Sequence, residues 1–263
     1  MDEVAIAVEH LWKTFRLVHR ATTFKGAVLQ WLSLRARRGS VESLTALSDV
    51  TFQVPAGQTV GIVGRNGAGK STLLAVLGRI YRPTRGRFRV RGRVATLLEL
   101  GTGIHPELTG LENIYLSGTI LGMKRQEIRR KLDDIIAFAE LEPFIDTQVK
   151  GYSSGMMMRL GFAVAVHVDP DVLLVDEVLA VGDELFQRKC YAKIEEFQAQ
   201  GKTILFVSHD LEAVRRVANR VLWLDQSVLR ADGPPEEVLA QYTASLQEAN
   251  SSPNSLRNRQ WVN

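Results

Sequence analysis

Residues 64–71, Gly64-Arg65-Asn66-Gly67-Ala68-Gly69-Lys70-Ser71, follow the pattern G-x-x-x-x-G-K-[ST]. Glycines at these positions let the main chain curl until successive N–H groups point inward, a shape that holds phosphate oxygens. Lys70 then reaches the β- and γ-phosphates of a nucleotide, and the Ser71 hydroxyl is a ligand for Mg²⁺. A short apolar run, Thr59–Val63, precedes the loop, and a helical stretch from Ser71 to Gly78 follows it. The N-terminus of that helix adds its dipole to the anion field. The set predicted to hold nucleotide is Gly64, Asn66, Gly67, Ala68, Gly69, Lys70, Ser71 and Thr72.

Two carboxylates follow a second apolar run. Asp176 and Glu177 come directly after Val172–Val175. Ligands bind at the carboxyl ends of parallel strands, so a pair placed there faces the phosphates. Asp176 is expected to help hold Mg²⁺, through water. Glu177, one residue further, is expected to orient or deprotonate the attacking water. His209 stands in the same relation to the run Thr203–Val207 and is expected to meet the γ-phosphate. The other histidines, His10, His19, His105 and His167, have no such placement and receive no role.

These groups need a framework, and the pattern predicts an α/β fold. Runs such as Val172–Val175 and Thr203–Val207 are apolar throughout, which suits parallel strands buried on both faces. Val4–Val8, Asp49–Val54 and Val221–Leu224 read as further strands, and Gln126–Ala139, Met156–His167 and Pro235–Leu246 as helices. Arg85, Arg87, Arg89, Arg91 and Arg93 alternate with other residues and are expected on one face of an extended segment. An insertion before the second strand has Phe24, Val28, Trp31, Leu32 and Arg35 at helical spacing, with Thr22 or Thr23 as N-cap. From Ala249 on, polar residues dominate, as in a mobile tail.

Composition narrows the class. Of 263 residues, 45% are hydrophobic, enough for a sizeable core, and 24% are charged, which argues against broad disorder. One cysteine, Cys190, allows neither a disulfide framework nor a cysteine-based zinc site and fits a reducing compartment. No apolar run approaches the ~18 residues of a spanning helix. The net charge of +4 is uneven: residues 10–41 hold seven Lys or Arg and no acid, and residues 79–93 hold seven Arg and no acid. Such stretches face nucleic acid, anionic lipid or nucleotide phosphates, or are simply solvated.

One further segment completes a known order of motifs. Tyr152-Ser153-Ser154-Gly155-Met156-Met157 lies upstream of Asp176 and opens a helix, and Ala180-Val181-Gly182-Asp183 follows. With the phosphate loop and Ser208-His209-Asp210, residues ~4–243 resemble the ATPase domain of ABC transporters. The resemblance implies a phosphate-loop ATPase core with a mainly parallel sheet, an antiparallel β subdomain and an inserted helical subdomain at about 105–165. It sets the basic insertion at about 16–43 and a flexible tail at 244–263. It also implies a head-to-tail dimer of two copies, with ATP and Mg²⁺ between one copy's phosphate loop and the other's Ser153 and Gly155. Asp183 matches a loop that crosses that interface, and Phe15 matches an aromatic that stacks on adenine. A glutamine usually offered to Mg²⁺ is missing, and Glu99 is the nearest candidate. Ser154, Met156 and Val178 also depart from the commoner motifs.

The details Leu97-Leu98-Glu99-Leu100-Gly101, His105-Pro106-Glu107-Leu108-Thr109-Gly110 and Phe186-Gln187-Arg188-Lys189-Cys190 are similar to ATPase subunits of bacterial polysaccharide exporters. These move O-antigen or teichoic-acid-like polymers on a lipid carrier. The implied setting is the cytoplasmic face of the membrane, beside a separate spanning permease that handles the polymer. Some members carry a C-terminal sugar-binding domain, for which this chain is expected to be too short. The alternatives are an importer motor, or a soluble ATPase of the same type acting on nucleic acid or ribosomes. Against the latter stand a single ATPase unit, no long heptad insertion and little aromatic interleaving in the basic stretches, so no nucleic-acid partner is expected. Replacing Glu177 by Gln is expected to keep ATP binding and lower turnover by about 10²-fold or more, the scale for a positioned general base. Steady-state phosphate release checks this, and turnover within a few-fold of the parent removes Glu177 from that role.

Overall fold

A computed structural model of the chain describes residues 3–16, 43–97, 103–176 and 183–251. The insertion helix expected around Phe24–Arg35, Glu99 and Glu177 lie outside the described residues.

The chain forms nine strands among the described residues: β1 (Val4–Arg16), β2 (Ser43–Pro55), β3 (Thr59–Val63), β4 (Arg85–Val90), β5 (Val94–Leu97), β6 (Val172–Asp176), β7 (Thr203–Val207), β8 (Arg220–Asp225) and β9 (Val228–Gly233). They build two sheets. One has the order β2-β1-β4 and is antiparallel. The other has the order β5-β6-β7-β3-β8-β9, parallel throughout except for the β8–β9 edge. Seven helices accompany them: α1 (Lys70–Leu77), α2 (Gly110–Ile120), α3 (Arg125–Ala139), α4 (Ser154–Val166), α5 (Glu184–Ala199), α6 (Leu211–Val217) and α7 (Pro235–Ser251). The α/β class and the mainly parallel core therefore stand as expected.

The continuous apolar runs have a plain cause. In a strand, alternate side chains point to opposite faces. Val172 and Leu174 pack with Leu73, Leu74 and Leu77 of α1 and with Ile6, Val8 and Phe52 of the antiparallel sheet. Leu173 and Val175 pack on the other face, among Phe162, Phe186, Val214 and Leu239 from helices α4 to α7. Both faces are dry, so apolar side chains fill Val172 to Val175 without a break. Gly61 shows how tight this is: an added Cβ would lie 2.8 Å from a Val214 methyl.

Three sequence expectations change. The arginine alternation belongs to a strand only as far as Val90, because Gly92 turns the chain at φ +80°. Arg85, Arg87 and Arg89 share a strand, whereas the Arg93 backbone N–H beyond the turn donates to the Asp171 carboxylate. The last helix runs to Ser251, past Leu246 and into the stretch read as tail. The antiparallel edge strand β9 was not expected at all; the Gln226-Ser227 turn that forms it uses two left-handed residues, φ 46° and 70°.

The helical segment that carries α2, α3 and α4 is fastened in two ways. Phe138 of α3 stacks on Phe162 of α4 at 5.9 Å, and Phe186 of α5 meets both edge-on at 5.8 and 6.0 Å. Such pairs add about 0.5–1.5 kcal/mol each beyond burial. At its start, Thr109 caps α2 in a reciprocal capping box with Glu112. Asn113, fully buried, then ties the incoming loop down. Its Oδ1 accepts from the His105 N–H at 2.7 Å, and its Nδ2 donates to the carbonyls of His105, Leu108 and Thr109. Replacing Asn113 by Ala strands several of these groups without water, and stability is expected to fall by at least about 2 kcal/mol. The urea midpoint measures this, and a loss under about 0.5 kcal/mol, the range of ordinary surface changes, contradicts it.

Candidate functional site: the phosphate loop at the carboxyl edge

β3 has all five residues buried and is hydrogen-bonded on both sides in parallel register, with Ile62 opposite Val207 on β7 and Leu222 on β8. At Gly64 the chain leaves the sheet with φ +150°, and a Cβ there would fall 2.1 Å from the Leu224 carbonyl oxygen. Gly67 and Gly69 also take positive φ, +79° and +105°, and a Cβ on Gly69 would lie 2.3 Å from the Ala46 carbonyl oxygen. Bulk and backbone sterics together therefore admit only glycine at 64 and 69. The loop closes on itself: the Ala68 N–H donates to the Arg65 carbonyl, and the Lys70 ammonium donates to the Gly64 and Arg65 carbonyls at 2.8 and 3.2 Å. Lys70 is 5% exposed. A cation so placed gives the loop a buried positive charge.

A concavity of about 390 Å³ opens over this loop, lined by Asn66, Gly67, Ala68, Gly69, Lys70, Ser71 and Thr72, with Phe15 and the start of β2, Leu44, Thr45 and Ala46. All of the predicted phosphate-loop positions except Gly64, which lies beneath, thus line one pocket, and Phe15 joins them across 50 residues of sequence. The β2 residues were not foreseen. They enter because Phe15 and Leu44 are register partners in the antiparallel sheet, a pairing without a local sequence signal.

The other polar groups reach the same edge through the register. Asp176 ends β6 opposite Val207, and Val207 lies opposite Ile62. Asp176, His209 and Gly64 therefore leave neighbouring strands within two residues of a common line, on strands ~4.8 Å apart. His209 is exposed, and Asp210 beside it caps α6 by accepting from Glu212 and Ala213 N–H. The fit to Mg²⁺ follows from donor chemistry. Ser71 and Asp176 offer a hydroxyl and a carboxylate, hard oxygen donors of the kind Mg²⁺ takes together with phosphates and water. No cluster of three His, Cys, Asp or Glu exists among the described residues.

Ser153, Gly155 and Asp183 are not in this concavity. Ser153 caps α4, its Oγ accepting from the Met156 N–H at 3.2 Å. Asp183 caps α5, its Oδ1 accepting from Phe186 N–H, and that bond with the nearby Arg159 holds its carboxyl below the usual range. Arg159, which sequence reasoning missed, joins the pieces. It donates to Asp183 Oδ2 at 2.5 Å and to Glu140 Oε2 at 2.9 Å, with its guanidinium 5.1 Å from the Phe186 ring. Lys189 also pairs with Glu140, whose carboxyl is held low first by that bond and then by Arg159.

The comparisons decide the family. A model described as "ABC transporter" matches residues 47–180, which hold the phosphate loop, Ser153, Gly155 and Asp176. The chain belongs to the ABC transporter family. Among relatives of this cassette, the O-antigen export system ATP-binding protein RfbB of Myxococcus xanthus is 49% identical over 253 residues, covering 94% of this chain and 58% of the relative. The protein of the same name in Klebsiella pneumoniae is 49% identical over 201 residues, covering 76% and 82%. The teichoic acids export ATP-binding protein TagH of Listeria innocua is 38% identical over 257 residues, covering 97% and 75%. Among solved structures, an ATP-binding subunit of an ABC transporter superposes with TM-score 0.71 at 23% identity, covering 91% of this chain and 93% of that one. A dimeric ATP-binding cassette with ADP and Pi gives 0.69 at 22% identity, covering 88% and 98%. These structures share the cassette's fold.

The glycine geometry gives a direct check. Gly64→Ala in the cassette is expected to weaken ATP binding by about tenfold or more, since a strained left-handed residue alone costs about 1–3 kcal/mol. Gly155→Ala, where a Cβ meets nothing closer among the described residues than Ser153 Oγ at 3.8 Å, is expected to leave thermal unfolding unchanged. Titration with a fluorescent ATP analogue and a melting curve measure both; parent-like affinity in the Gly64 variant counts against the loop geometry.

Proposed function

We propose that this cassette hydrolyses ATP as a pair of copies and so drives export of a lipid-linked polysaccharide through a separate membrane-spanning subunit. The observation that carries the ATPase reading is the shared carboxyl edge, where the closed phosphate loop, Asp176 and His209 leave adjacent parallel strands. Main-chain N–H groups of Gly67, Gly69 and Lys70 and the Lys70 ammonium grip the phosphates. Ser71 and Asp176 would hold Mg²⁺, which when bound neutralises charge on the β- and γ-phosphates. Glu177, next after Asp176, takes up or orients the proton of the attacking water, and His209 meets the γ-phosphate from the neighbouring strand. Water adds to the γ-phosphorus, and the bond to the β-phosphate oxygen breaks, releasing ADP and phosphate.

Two observations support a second copy. Ser153 stands at a helix N-terminus, a place that favours anions. Gly155 has neither a Cβ position crowded by the described residues nor positive φ, so nothing among the described residues requires glycine there. Both fit a nucleotide arriving on another copy's loop, head to tail. The export reading is supported by the likeness to O-antigen and teichoic acid export proteins. No helix among the described residues is long and apolar enough to cross a membrane. The place of work that follows is the cytoplasmic face of the membrane.

The test is deletion of the chain in its host. Polymer is expected to accumulate on its carrier at the inner face, to return to the surface with the parent chain, and to stay inside with Lys70→Ala. Purification from membranes is expected to bring a spanning subunit with it. Unchanged surface polymer with nucleic acid recovered in place of that subunit overturns the reading.

A further inference from the structure

Phe15 has a second set of neighbours beyond the phosphate-loop concavity. Its ring meets Tyr81 edge-to-face, with centroids 5.3 Å apart and planes at 81°. The Lys13 ammonium stands 4.8 Å from the Phe15 centroid and 5.2 Å from that of Tyr81. Lys13 is held there by donating to the Arg82 carbonyl at 2.9 Å. Lys13 and Phe15 are two apart on β1 and so share a face. Tyr81 comes from the link between α1 and β4.

That link is pinned at both ends. The N–H groups of Ile80 and Tyr81 both donate to the Ala75 carbonyl, at 2.9 and 3.2 Å, in the last turns of α1. Further on, Thr84 N–H donates to the Trp12 carbonyl at 2.7 Å and Thr14 N–H to Thr84 Oγ1 at 2.9 Å. The helix that opens at Lys70 under the phosphates thus ends by setting Tyr81 against Phe15. Burial does not explain the arrangement, because Tyr81 is 40% exposed and Phe15 is only half-buried. An edge-on ring and a cation on a partly exposed aromatic fix its orientation, and a surface fixed before binding loses less freedom when a flat ligand stacks on it.

We propose that Tyr81 and Lys13 fix the Phe15 ring as the surface on which the purine base stacks, which makes Tyr81 a positioning residue for nucleotide recognition. The inference rests on the reading of Phe15 as the base contact. It separates two grips on one ligand: the loop of α1 holds the phosphates, and the far end of the same helix, through Tyr81, holds the base.

The experiment uses the full chain and the variants Tyr81→Leu, Tyr81→Phe, Phe15→Leu and the double Phe15→Leu/Tyr81→Leu. Calorimetric titration with ATP and with inorganic tripolyphosphate is combined with steady-state ATPase kinetics. Tyr81→Leu is expected to raise the ATP Kd and KM about two- to tenfold, the range of one aromatic pair, with kcat unchanged. Tyr81→Phe keeps the ring and is expected to bind ATP as the parent does. Tripolyphosphate, which has no base, is expected to bind all four variants alike. The double variant is expected to bind ATP no more weakly than Phe15→Leu alone, because Tyr81 acts through Phe15. Parent-like ATP binding by Tyr81→Leu, an equal loss for tripolyphosphate, or additive losses in the double variant overturn the inference. If Phe15→Leu itself binds ATP as the parent does, the base-contact reading falls and takes this one with it. If Phe15→Leu is weakened and Tyr81→Leu is not, only the role of Tyr81 falls.

Discussion

The buried parallel strand Thr59–Val63 is the constraint on which the site depends. Hydrogen-bonded to β7 on one side and β8 on the other, it has no exposed residue and no freedom to shift register without turning apolar side chains out of one core into the other. Its end is therefore fixed, and the chain leaves it against the Leu224 carbonyl of the next strand. Only a residue without a Cβ passes that point, and the turn it makes brings Lys70 back under the Gly64 carbonyl. The shape of the phosphate loop is thus a consequence of sheet packing. The same register sets Asp176 and the approach to His209 on adjacent strands, so no long loop has to carry either group into position.

The helical segment is joined to this core by different physics. Phe138, Phe162 and Phe186 make an aromatic joint, and Arg159 crosses it to bond Glu140 at the end of α3 and Asp183 at the start of α5. Glu140 itself sits in the left-handed region at φ 56°, which ends α3 and turns its carboxylate toward Arg159 and Lys189. The helix that Ser153 caps and Asp183, the N-cap of α5, are in this way linked by one guanidinium.

The second arginine-rich stretch is less uniform than its composition suggests. Arg87 pairs with Glu9 and Arg91 with Glu3, both from the neighbouring strand β1 or the residue before it. Arg93 pairs with Glu127 of α3 in a more enclosed setting, where burial pushes the Glu127 carboxyl up but Arg93 and Lys131 outweigh it and hold it low. The first two are exposed pairs, worth about 0–1 kcal/mol each. They fasten the antiparallel sheet and leave a smaller cationic surface than seven arginines imply.

What the sequence determined by itself is what is contiguous or periodic. The phosphate loop is eight consecutive residues whose glycines are required by local backbone geometry, so the motif and its fold coincide. The buried strands were legible because dry surroundings on both faces favour apolar residues at nearly every position, and Asp176 because it breaks such a run at its end. The helices α3 and α4 followed from amphipathic or apolar spacing. The strand order, the β2 wall of the pocket, the edge strand β9 and the ties made by Asn113, Arg159 and Tyr81 were decided only by tertiary structure. Each brings together groups that local spacing does not relate: Phe15 with Tyr81, Arg159 with Asp183, or Asn113 with a loop whose carbonyls carry no side-chain mark. Such contacts depend on how two separately formed elements pack, and a hydrogen bond or ring contact made across that packing leaves no repeat in the chain that could announce it.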